Sequence, residues 1–358
     1  MKILLSVVLA VACFSSFARG AGKPDPSWNP EKPTAPSPQA KNPDEKMGMA
    51  SELPEPTESN VAYGSHERQV LDFWKADSDK PAPLLFYIHG GSWLVGDKRK
   101  IGELLRYVPD GNGGKMTTLA KYLASGISVV SINYRYVSQA QEAGVKPPVK
   151  WPIEDAARAL QLVRSRAAAW NIDKNRIAAT GGSAGACSSL WLAFHPDMAD
   201  PKSADPVARE STRLCFAAVH GAQTTLDPQQ MREWTPNSGY GGHAFGFGGD
   251  KEKKISSFQQ FLANREAILP WIEEYSPIAL ATPDDPPVFL YYAGAPAIGQ
   301  NQKDPTHTAN FGAKLQEKLQ GMGVDCVLAY PGAPGLGDAS VQSYIIERFG
   351  GGRRGAKK

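Results

Sequence analysis

Hydrophobic residues form two recurring patterns along the chain, short apolar runs and longer stretches with helical spacing. The apolar runs predict strands at residues 69–74, 83–88, 127–134, 176–180, 214–219, 288–293 and 324–330. The helical spacing predicts helices at residues 155–167, 184–194 and 309–320. Because helices separate several of these strands, we predict an α/β fold, a three-layer sandwich in which helices cover both faces of a mostly parallel sheet.

The stretch from residue 226 to residue 277 interrupts this alternation. It combines aromatic residues with a glycine-rich run at residues 239–249, and it lies between two predicted core strands. Long insertions of this kind often form lids over a binding site. We therefore predict a cap at about residues 226–277.

The first residues have the pattern of a targeting segment. Lys2 supplies a positive charge, residues 3–17 are almost wholly apolar, and small residues occupy positions 18 and 20. This pattern predicts a signal peptide at residues 1–20 and a secreted or periplasmic protein. A lipoprotein attached through Cys13 is the alternative. The apolar run is too short to cross a bilayer, so we expect no stable membrane span.

The following segment, residues 21–56, contains nine prolines and few apolar residues. A segment of this composition cannot bury a core, so we predict a disordered linker that is dispensable for folding. The folded domain is then expected at residues 57–349. A short glycine-rich, basic and flexible tail is expected at residues 350–358.

Charge and cysteine content exclude several functions. The formal net charge is only +3 and charged residues make up 21% of the chain, so we expect no nucleic-acid partner. Beyond the signal peptide, Cys187, Cys215 and Cys326 lie in apolar stretches and are expected to be buried thiols. The chain contains no C-x-x-C or H-E-x-x-H pattern, so we expect no metal site. These features leave the oligomeric state open.

A G-x-S-x-G pattern at residues 181–185 has Ser183 at its centre. It follows the predicted strand at 176–180 and precedes the predicted helix at 184–194. A strand that ends in a tight glycine-flanked turn before a helix presents the serine hydroxyl at the edge of the sheet. We therefore predict that Ser183 is a nucleophile.

A second glycine motif, at residues 89–93, follows the buried run at residues 83–88. Acyl transfer needs backbone N–H groups that stabilise a developing oxyanion. We predict that Gly90 and Gly91 provide such groups, together with Ala184, which directly follows the serine. His89 is expected to brace this loop rather than to act as a base.

Five motifs occur in an order that resembles a known enzyme family: Val61-Ala62-Tyr63-Gly64, His89-Gly90-Gly91-Ser92-Trp93 with Gly96-Asp97-Lys98, Asn133-Tyr134-Arg135, Trp151-Pro152-Ile153-Glu154-Asp155-Ala156 and Gly181-Gly182-Ser183-Ala184-Gly185. They resemble α/β-hydrolase fold esterases and lipases, in particular secreted bacterial proteins similar to acetyl- and feruloyl-esterases. The resemblance covers about residues 61–349. It implies a Ser-His-Asp triad, a cap and no cofactor.

The chain departs from this family at the position of the histidine. In the family the histidine follows the last strand, after a Tyr-Pro-Gly that matches residues 330–332, but no histidine occurs after His307. The family's acid follows the strand that matches residues 288–293, which makes Asp304 its plausible match. His307 lies three residues later, in the loop adjoining the one that should hold the base. We therefore predict His307 as the base and Asp304 as the acid.

Other residues could take these two roles. His220 ends the predicted strand at residues 214–219, and His243 lies in the glycine-rich run of the predicted cap. Asp227 follows the strand before the cap and is an alternative acid. A base must come within hydrogen-bond reach of the serine hydroxyl, and neighbouring loops at one sheet edge can achieve this.

Two functions remain open at this stage. The first is a secreted serine hydrolase that cleaves carboxylic esters through an acyl-enzyme on Ser183, with a small-molecule or polysaccharide-linked ester as substrate. The second is a binding protein on the same fold, catalytically impaired because the usual histidine is missing. A peptidase would share the chemistry of the first.

Overall fold

The computed structural model of the protein describes residues 53–99, 102–337 and 339–350. The predicted signal peptide at 1–20, Cys13, most of the predicted linker at 21–56, and residues 351–358 of the predicted tail lie outside these ranges. Within them, none of the helices combines the length and the apolar character that crossing a membrane requires.

The described chain forms ten strands: β1 (Glu58–Ala62), β2 (Val70–Trp74), β3 (Ala82–Ile88), β4 (Tyr107–Pro109), β5 (Lys115–Thr117), β6 (Ser128–Ile132), β7 (Ile172–Gly182), β8 (Phe216–His220), β9 (Val288–Tyr291) and β10 (Cys326–Ala329). Eight of them form one sheet in the order β1-β2-β6-β3-β7-β8-β9-β10, and β4 and β5 form a separate hairpin. Within the large sheet β2 runs antiparallel to both of its neighbours, and the pairs from β6 to β10 are parallel. The predicted mostly parallel sheet is confirmed.

Twelve helices accompany these strands: α1 (Gly102–Leu105), α2 (Thr118–Ala124), α3 (Val137–Glu142), α4 (Lys150–Ser165), α5 (Ala167–Trp170), α6 (Ala184–Phe194), α7 (Pro228–Trp234), α8 (Ser257–Ala263), α9 (Leu269–Tyr275), α10 (Pro277–Leu280), α11 (Ala309–Gly321) and α12 (Val341–Gly350). Residues of α4, α6 and α11 pack in one buried cluster on the sheet. Residues of α1, α2 and α12 pack in a second cluster. The predicted three-layer arrangement is therefore confirmed.

Strand β3 shows why the core strands appear in the sequence as unbroken apolar runs. All seven of its residues are buried. Leu84, Phe86 and Ile88 belong to the first cluster, whereas Leu85 and Tyr87 belong to the second. Successive side chains of a strand point to opposite faces, and helices cover both faces of this sheet. The alternating side chains of β3 from Leu84 to Ile88 therefore meet an apolar layer on each face.

The elements missed by the pattern are mostly short or partly exposed. They include β1, the β4–β5 hairpin and helices α1, α2, α3 and α12. Helix α4 also begins five residues before its predicted start at residue 155, with Pro152 in its first turn. Proline is tolerated there because the first N–H groups of a helix have no partner within it.

The predicted cap, residues 226–277, lies between β8 and β9 and consists of helices α7, α8 and α9 with two short 3-10 helices. At the other end of the domain, contacts begin before the predicted start at residue 57. The Leu53 side chain is buried in the second cluster, and the Trp74 indole N–H donates to the carbonyl of Pro54 (2.8 Å).

Candidate active site

Ser183 lies in the turn between the end of β7 at Gly182 and the start of α6 at Ala184. Its backbone has φ 54° and ψ −122°, a strained conformation for a residue with a side chain. The flanking glycines allow the turn, because a Cβ at either Gly181 or Gly185 would overlap the carbonyl of Ile88 on β3. The serine hydroxyl is thereby presented at the carboxyl edge of the sheet.

The structure brings Ser183 together with His307 and Asp304. The Nε2 atom of His307 lies 2.9 Å from Ser183 Oγ, and its Nδ1 atom lies 2.8 Å from Asp304 Oδ2. A carboxylate only accepts hydrogen bonds, so the Nδ1 atom of a neutral imidazole must hold the proton. The Nε2 lone pair then faces the serine hydroxyl, which donates to it.

Parallel strand ends explain how the three side chains meet. His307 lies in the loop at residues 294–308, between β9 and α11, and β9 pairs with β8, which pairs with β7. Gly221, which directly follows β8, has φ 58° and lies beneath the imidazole of His307, where an added Cβ would be 3.4 Å from Cδ2. A bulkier residue would be strained by the left-handed backbone and would crowd the ring.

Asp304 is held by its own loop as well as by His307. Its Oδ1 atom accepts hydrogen bonds from the backbone N–H groups of Thr306 (3.1 Å) and His307 (3.2 Å). Partial burial would raise the pKa of Asp304, but the hydrogen bond and charge of His307 and these N–H groups hold it below its ordinary value. The Asp304 carboxylate therefore stays ionised while it orients the imidazole.

The loop at residues 89–93, hereafter called the oxyanion loop after its predicted role, lies against the serine turn. A Cβ at Gly90 would be 2.7 Å from the carbonyl oxygen of Gly182 and 3.5 Å from the Cβ of Ser183. Only glycine permits this approach. The backbone of Gly90 is therefore adjacent to the nucleophile candidate.

Tyr134 fixes the orientation of the peptide groups in this loop. Its hydroxyl lies 2.9 Å from the carbonyl oxygen of His89 and 3.2 Å from that of Gly90, and the Nδ1 atom of His89 lies 2.8 Å from the latter. Because the C=O and N–H groups of a trans peptide point in opposite directions, anchoring these carbonyls directs the N–H groups of Gly90 and Gly91 the other way. Burial raises the pKa of Tyr134 well above its ordinary value, so its hydroxyl remains a donor.

Two residues of the oxyanion loop that are not glycine adopt left-handed backbone conformations, Ser92 with φ 55° and Trp93 with φ 56°. Trp93 is fully buried, and its indole N–H donates to the hydroxyl of Ser188 on α6 (3.0 Å). The N–H of Val137 donates to the carbonyl of Trp93 (2.9 Å). The strained loop is thereby tied to the helix that follows Ser183.

The alternative bases have other partners. His220 Nε2 lies 2.7 Å from a carboxylate oxygen of Glu103, and this carboxylate also accepts a hydrogen bond from the Tyr87 hydroxyl. Burial would raise the pKa of Glu103, but the charge and hydrogen bond of His220 and the Tyr87 hydroxyl lower it to about 2. Gly182 leaves room for this pair, because a Cβ there would overlap the His220 ring.

His243 and Asp227 are also placed away from the serine hydroxyl. The Nε2 atom of His243 lies 3.0 Å from the carbonyl oxygen of Ser92. Asp227 accepts two hydrogen bonds from the guanidinium of Arg265 (2.8 and 2.6 Å) and caps helix α7 by accepting from the N–H of Gln229. Neither of the two contacts the Ser183–His307 pair.

Other residues of the family-like motifs have structural partners. Lys98 Nζ pairs with Asp72 (3.0 Å), and both side chains are buried. The Arg135 guanidinium forms a close pair with Asp155. The sequence did not reveal the roles of Tyr134 and Glu103. Tyr134 lies in the family-like motif at 133–135, whereas Glu103 lies in a short helix that the periodicity does not indicate.

The described ranges contain no group of three or more histidine, cysteine, aspartate or glutamate side chains that could hold a metal ion. Cys187 and Cys326 are free and buried, and Cys215 is free and partly buried. Burial raises the pKa of the Cys215 thiol to about 11, so this group stays protonated and unreactive near neutral pH.

A sequence model of the BD-FAE family matches residues 71–303. Among curated relatives, the probable carboxylic ester hydrolase LipM of Mycobacterium tuberculosis is 32% identical over 164 residues, 44% of this chain and 32% of LipM. Esterase LipQ of the same organism is 31% identical over 182 residues, 49% of this chain and 38% of LipQ. The chain therefore spans about a third of the length of these relatives.

Solved structures agree with this fold. A truncated carbohydrate esterase from gut microbiota superimposes with a TM-score of 0.57 and 17% identity, covering 86% of this chain and 97% of the other. Thermogutta terrifontis esterase 2 phosphonylated by sarin gives a TM-score of 0.56 and 19% identity, covering 82% and 94%. At such low identity the likeness concerns the fold alone, and it confirms the predicted α/β-hydrolase architecture.

Proposed function

The chain belongs to the BD-FAE family, and from this premise we propose that it hydrolyses carboxylic esters through an acyl-enzyme on Ser183. The proposal rests on one observation, the continuous hydrogen-bonded chain from Ser183 Oγ through His307 to Asp304. The curated relatives that the chain matches in part are named carboxylic ester hydrolases and esterases, which supports the same chemistry.

In the proposed first step, Ser183 Oγ attacks the ester carbonyl carbon while His307 Nε2 accepts the hydroxyl proton. The carbonyl oxygen becomes an oxyanion in a tetrahedral intermediate. His307 then gives the proton to the alcohol oxygen, the bond between this oxygen and the acyl carbon breaks, and the alcohol leaves. The acyl group remains bonded to Ser183.

In the second step, water attacks the acyl carbon and His307 accepts a proton from it. The resulting tetrahedral intermediate collapses, Ser183 Oγ takes the proton back from His307, and the carboxylic acid is released. Asp304 stabilises the imidazolium that forms in each step. It does so by accepting the Nδ1–H hydrogen bond, without becoming protonated itself.

We propose that the oxyanion is bound by the N–H groups of Gly90, Gly91 and Ala184. Support comes from the anchored carbonyls of His89 and Gly90, which direct two of these N–H groups away from Tyr134. The third N–H begins helix α6, where the positive end of the helix favours a negative charge. Removal of one such donor typically lowers kcat about 10²–10³-fold in serine hydrolases.

The missing histidine after β10 suggested a binding protein that has lost its base. The 2.9 Å distance between His307 Nε2 and Ser183 Oγ supports ester hydrolysis over this alternative, because an imidazole from the loop at 294–308 can take the place of the missing base. We also propose a secreted or periplasmic location on the basis of the signal-like pattern at residues 1–20. The substrate is then an ester that the protein meets outside the cytoplasm.

The decisive experiment uses a fluorophosphonate probe and p-nitrophenyl acetate with three proteins: the wild type, Ser183→Ala and Ser189→Ala. Ser189 is a buried serine of α6, the helix that follows Ser183, and its hydroxyl donates to the carbonyl of Gly185, so it is a matched control. We expect labelling and hydrolysis in the wild type and in Ser189→Ala, and neither in Ser183→Ala. Equal labelling of Ser183→Ala would exclude Ser183 as the nucleophile.

A further inference from the structure

The glycine-rich run of the cap places one histidine on the oxyanion loop. Residues 242–245 form a 3-10 helix between two glycines with left-handed backbones, Gly241 with φ 105° and Gly246 with φ 91°. Gly242 packs against α8, where an added Cβ would lie 2.7 Å from the carbonyl oxygen of Ser257. This tight turn presents His243, the second residue of the 3-10 helix.

His243 contacts the oxyanion loop through a single directed hydrogen bond. Its Nε2 atom lies 3.0 Å from the carbonyl oxygen of Ser92. A carbonyl oxygen only accepts, so Nε2 must hold the proton. The ring is enclosed by aromatic side chains, with Tyr240 edge-on at 5.1 Å and Trp93 at 6.4 Å between centroids.

The bonded carbonyl belongs to a strained part of the loop. Gly91, Ser92 and Trp93 have φ values of 101°, 55° and 56°, so three successive residues adopt left-handed backbones. Residues other than glycine rarely adopt this conformation and persist in it only where the surroundings hold them. Trp93 is held by α6 and α3, through its indole N–H and its carbonyl, whereas the Ser92 carbonyl is held from the cap.

We propose that His243 is a positioning residue, which holds the oxyanion loop in its productive shape by donating its Nε2–H to the Ser92 carbonyl. This inference rests on the proposed ester hydrolysis. It assigns to the predicted cap a role in stabilising the oxyanion. Because the contact acts on the loop and not on the substrate, its loss lowers kcat and leaves substrate binding almost unchanged.

The test compares His243→Leu, which removes the donor, with His243→Gln, whose side-chain amide can still donate to Ser92. Phe258→Leu is the matched control, since Phe258 is a buried cap residue on α8 that packs on Phe261. On p-nitrophenyl acetate we expect kcat to fall roughly 10- to 100-fold in His243→Leu with KM within threefold. His243→Gln should recover most of the loss, and Phe258→Leu should stay within threefold of wild type.

Three results would overturn the proposal: an unchanged kcat in His243→Leu, a loss expressed in KM alone, or an equal kcat loss in Phe258→Leu. If His243→Leu does not fold, His243→Ala replaces it as the variant without a donor, and a kcat equal to that of His243→Gln would overturn the proposal. All variants are checked by circular dichroism and thermal unfolding before assay.

A measurement without substrate separates this proposal from the proposed function. Nitrogen-15 NMR of the full chain with labelled histidine should show His243 as the neutral Nε2–H tautomer at pH 6–8, assigned by the signal lost in His243→Gln. An Nδ1–H tautomer would overturn the proposal even if the wild type is an active esterase. An inactive wild type with the Nε2–H tautomer would refute ester hydrolysis and still support the contact between cap and loop.

Discussion

Water reaches the side chains of Asp304 and His307 to different degrees. Asp304 is 61% exposed and His307 is 39% exposed. Water screens a charge pair and weakens it, so an exposed carboxylate stabilises an imidazolium less than a buried one does. In this site the imidazole is therefore expected to matter more than the acid that orients it.

The first prediction follows from this difference in exposure. His307→Ala removes the imidazole that is hydrogen-bonded to the Ser183 hydroxyl, and we expect kcat/KM on an activated ester to fall roughly 10³-fold or more. Asp304→Asn should cost only about 10- to 100-fold, because an exposed carboxylate contributes less than a buried one. Steady-state kinetics of both variants at low and high salt measure the difference. Equal losses of kcat/KM in the two variants would contradict this prediction, because Asp304 would then contribute as much as a buried acid.

The second prediction concerns His89, which is only 2% exposed. Burial lowers its pKa from the ordinary 6.5 to about 4. Between pH 4 and pH 6.5 the unfolded chain binds a proton on His89 that the folded chain excludes. The free energy of unfolding is therefore highest above pH 6.5 and falls as the pH decreases toward 4. From pH 7 to pH 5 this group alone should lower the free energy of unfolding by about 2 kcal/mol.

Urea unfolding of wild type and His89→Asn at pH 7 and pH 5 measures this effect. The variant lacks the imidazole, so its stability should fall less over the same pH interval. All other titrating groups, including His243, are common to both proteins and cancel in the comparison. An equal loss in the two proteins would mean that the folded chain accommodates a proton on His89.

At the level of elements, Asn310 connects three parts of the site. It is fully buried at the start of α11, three residues after His307. Its side-chain amide donates to the carbonyl of Trp234 (2.8 Å), at the end of α7, and to the hydroxyl of Thr235 (2.9 Å). It also accepts from the N–H of Ala297 in the loop at 294–308 (2.7 Å). The loop that holds His307 is thereby fixed to the cap.

The third prediction is that Asn310→Ala weakens both the fold and the site. Several buried polar groups lose their partner, so we expect the free energy of unfolding to fall by about 3 kcal/mol. The kcat for p-nitrophenyl acetate should fall as well, because the position of His307 becomes less defined. Asn301→Ala is the matched control, since Asn301 is an exposed asparagine in the loop at residues 294–308, which Asn310 anchors. If Asn310→Ala is as unstable as expected but has the wild-type kcat, the loop at 294–308 does not need Asn310 to position His307.

Elements differ in how far the sequence predicted them. The buried strands and helices α6 and α11 were predicted closely, because apolar periodicity reports burial directly. His307 was predicted as the base from topology, since parallel strands end at one edge and adjoining loops share it. Glu103 was not predicted, because α1 is a short helix whose position depends on tertiary contacts that no local pattern records.

At the scale of the whole molecule, the domain begins earlier than its composition suggested. Leu53 is 4% exposed although it lies among prolines and charged residues. A single apolar residue has no periodicity, so no pattern along the chain indicates that it joins the core. The expectation that residues up to 56 are dispensable is therefore revised.

The fourth prediction compares two truncations. Removal of residues 1–56 deletes the buried Leu53 side chain and the hydrogen bond between Pro54 and Trp74. Together these contribute about 3 kcal/mol, so Tm should fall by roughly 5–10 °C. Removal of residues 1–52 keeps both contacts and should give a Tm within about 2 °C of the full chain. Differential scanning calorimetry of the three proteins measures this. Equal values for both truncations would show that Leu53 adds nothing to the core.

The placement of Asp304 and His307 in one loop has a consequence for engineering. In the arrangement that the family resemblance implies, acid and base follow different strands, so transplanting them requires two coordinated loop exchanges. Here the acid and the base are three residues apart and hydrogen-bonded to each other. A single graft of residues 294–308 should therefore transfer the proposed base together with the carboxylate that orients it.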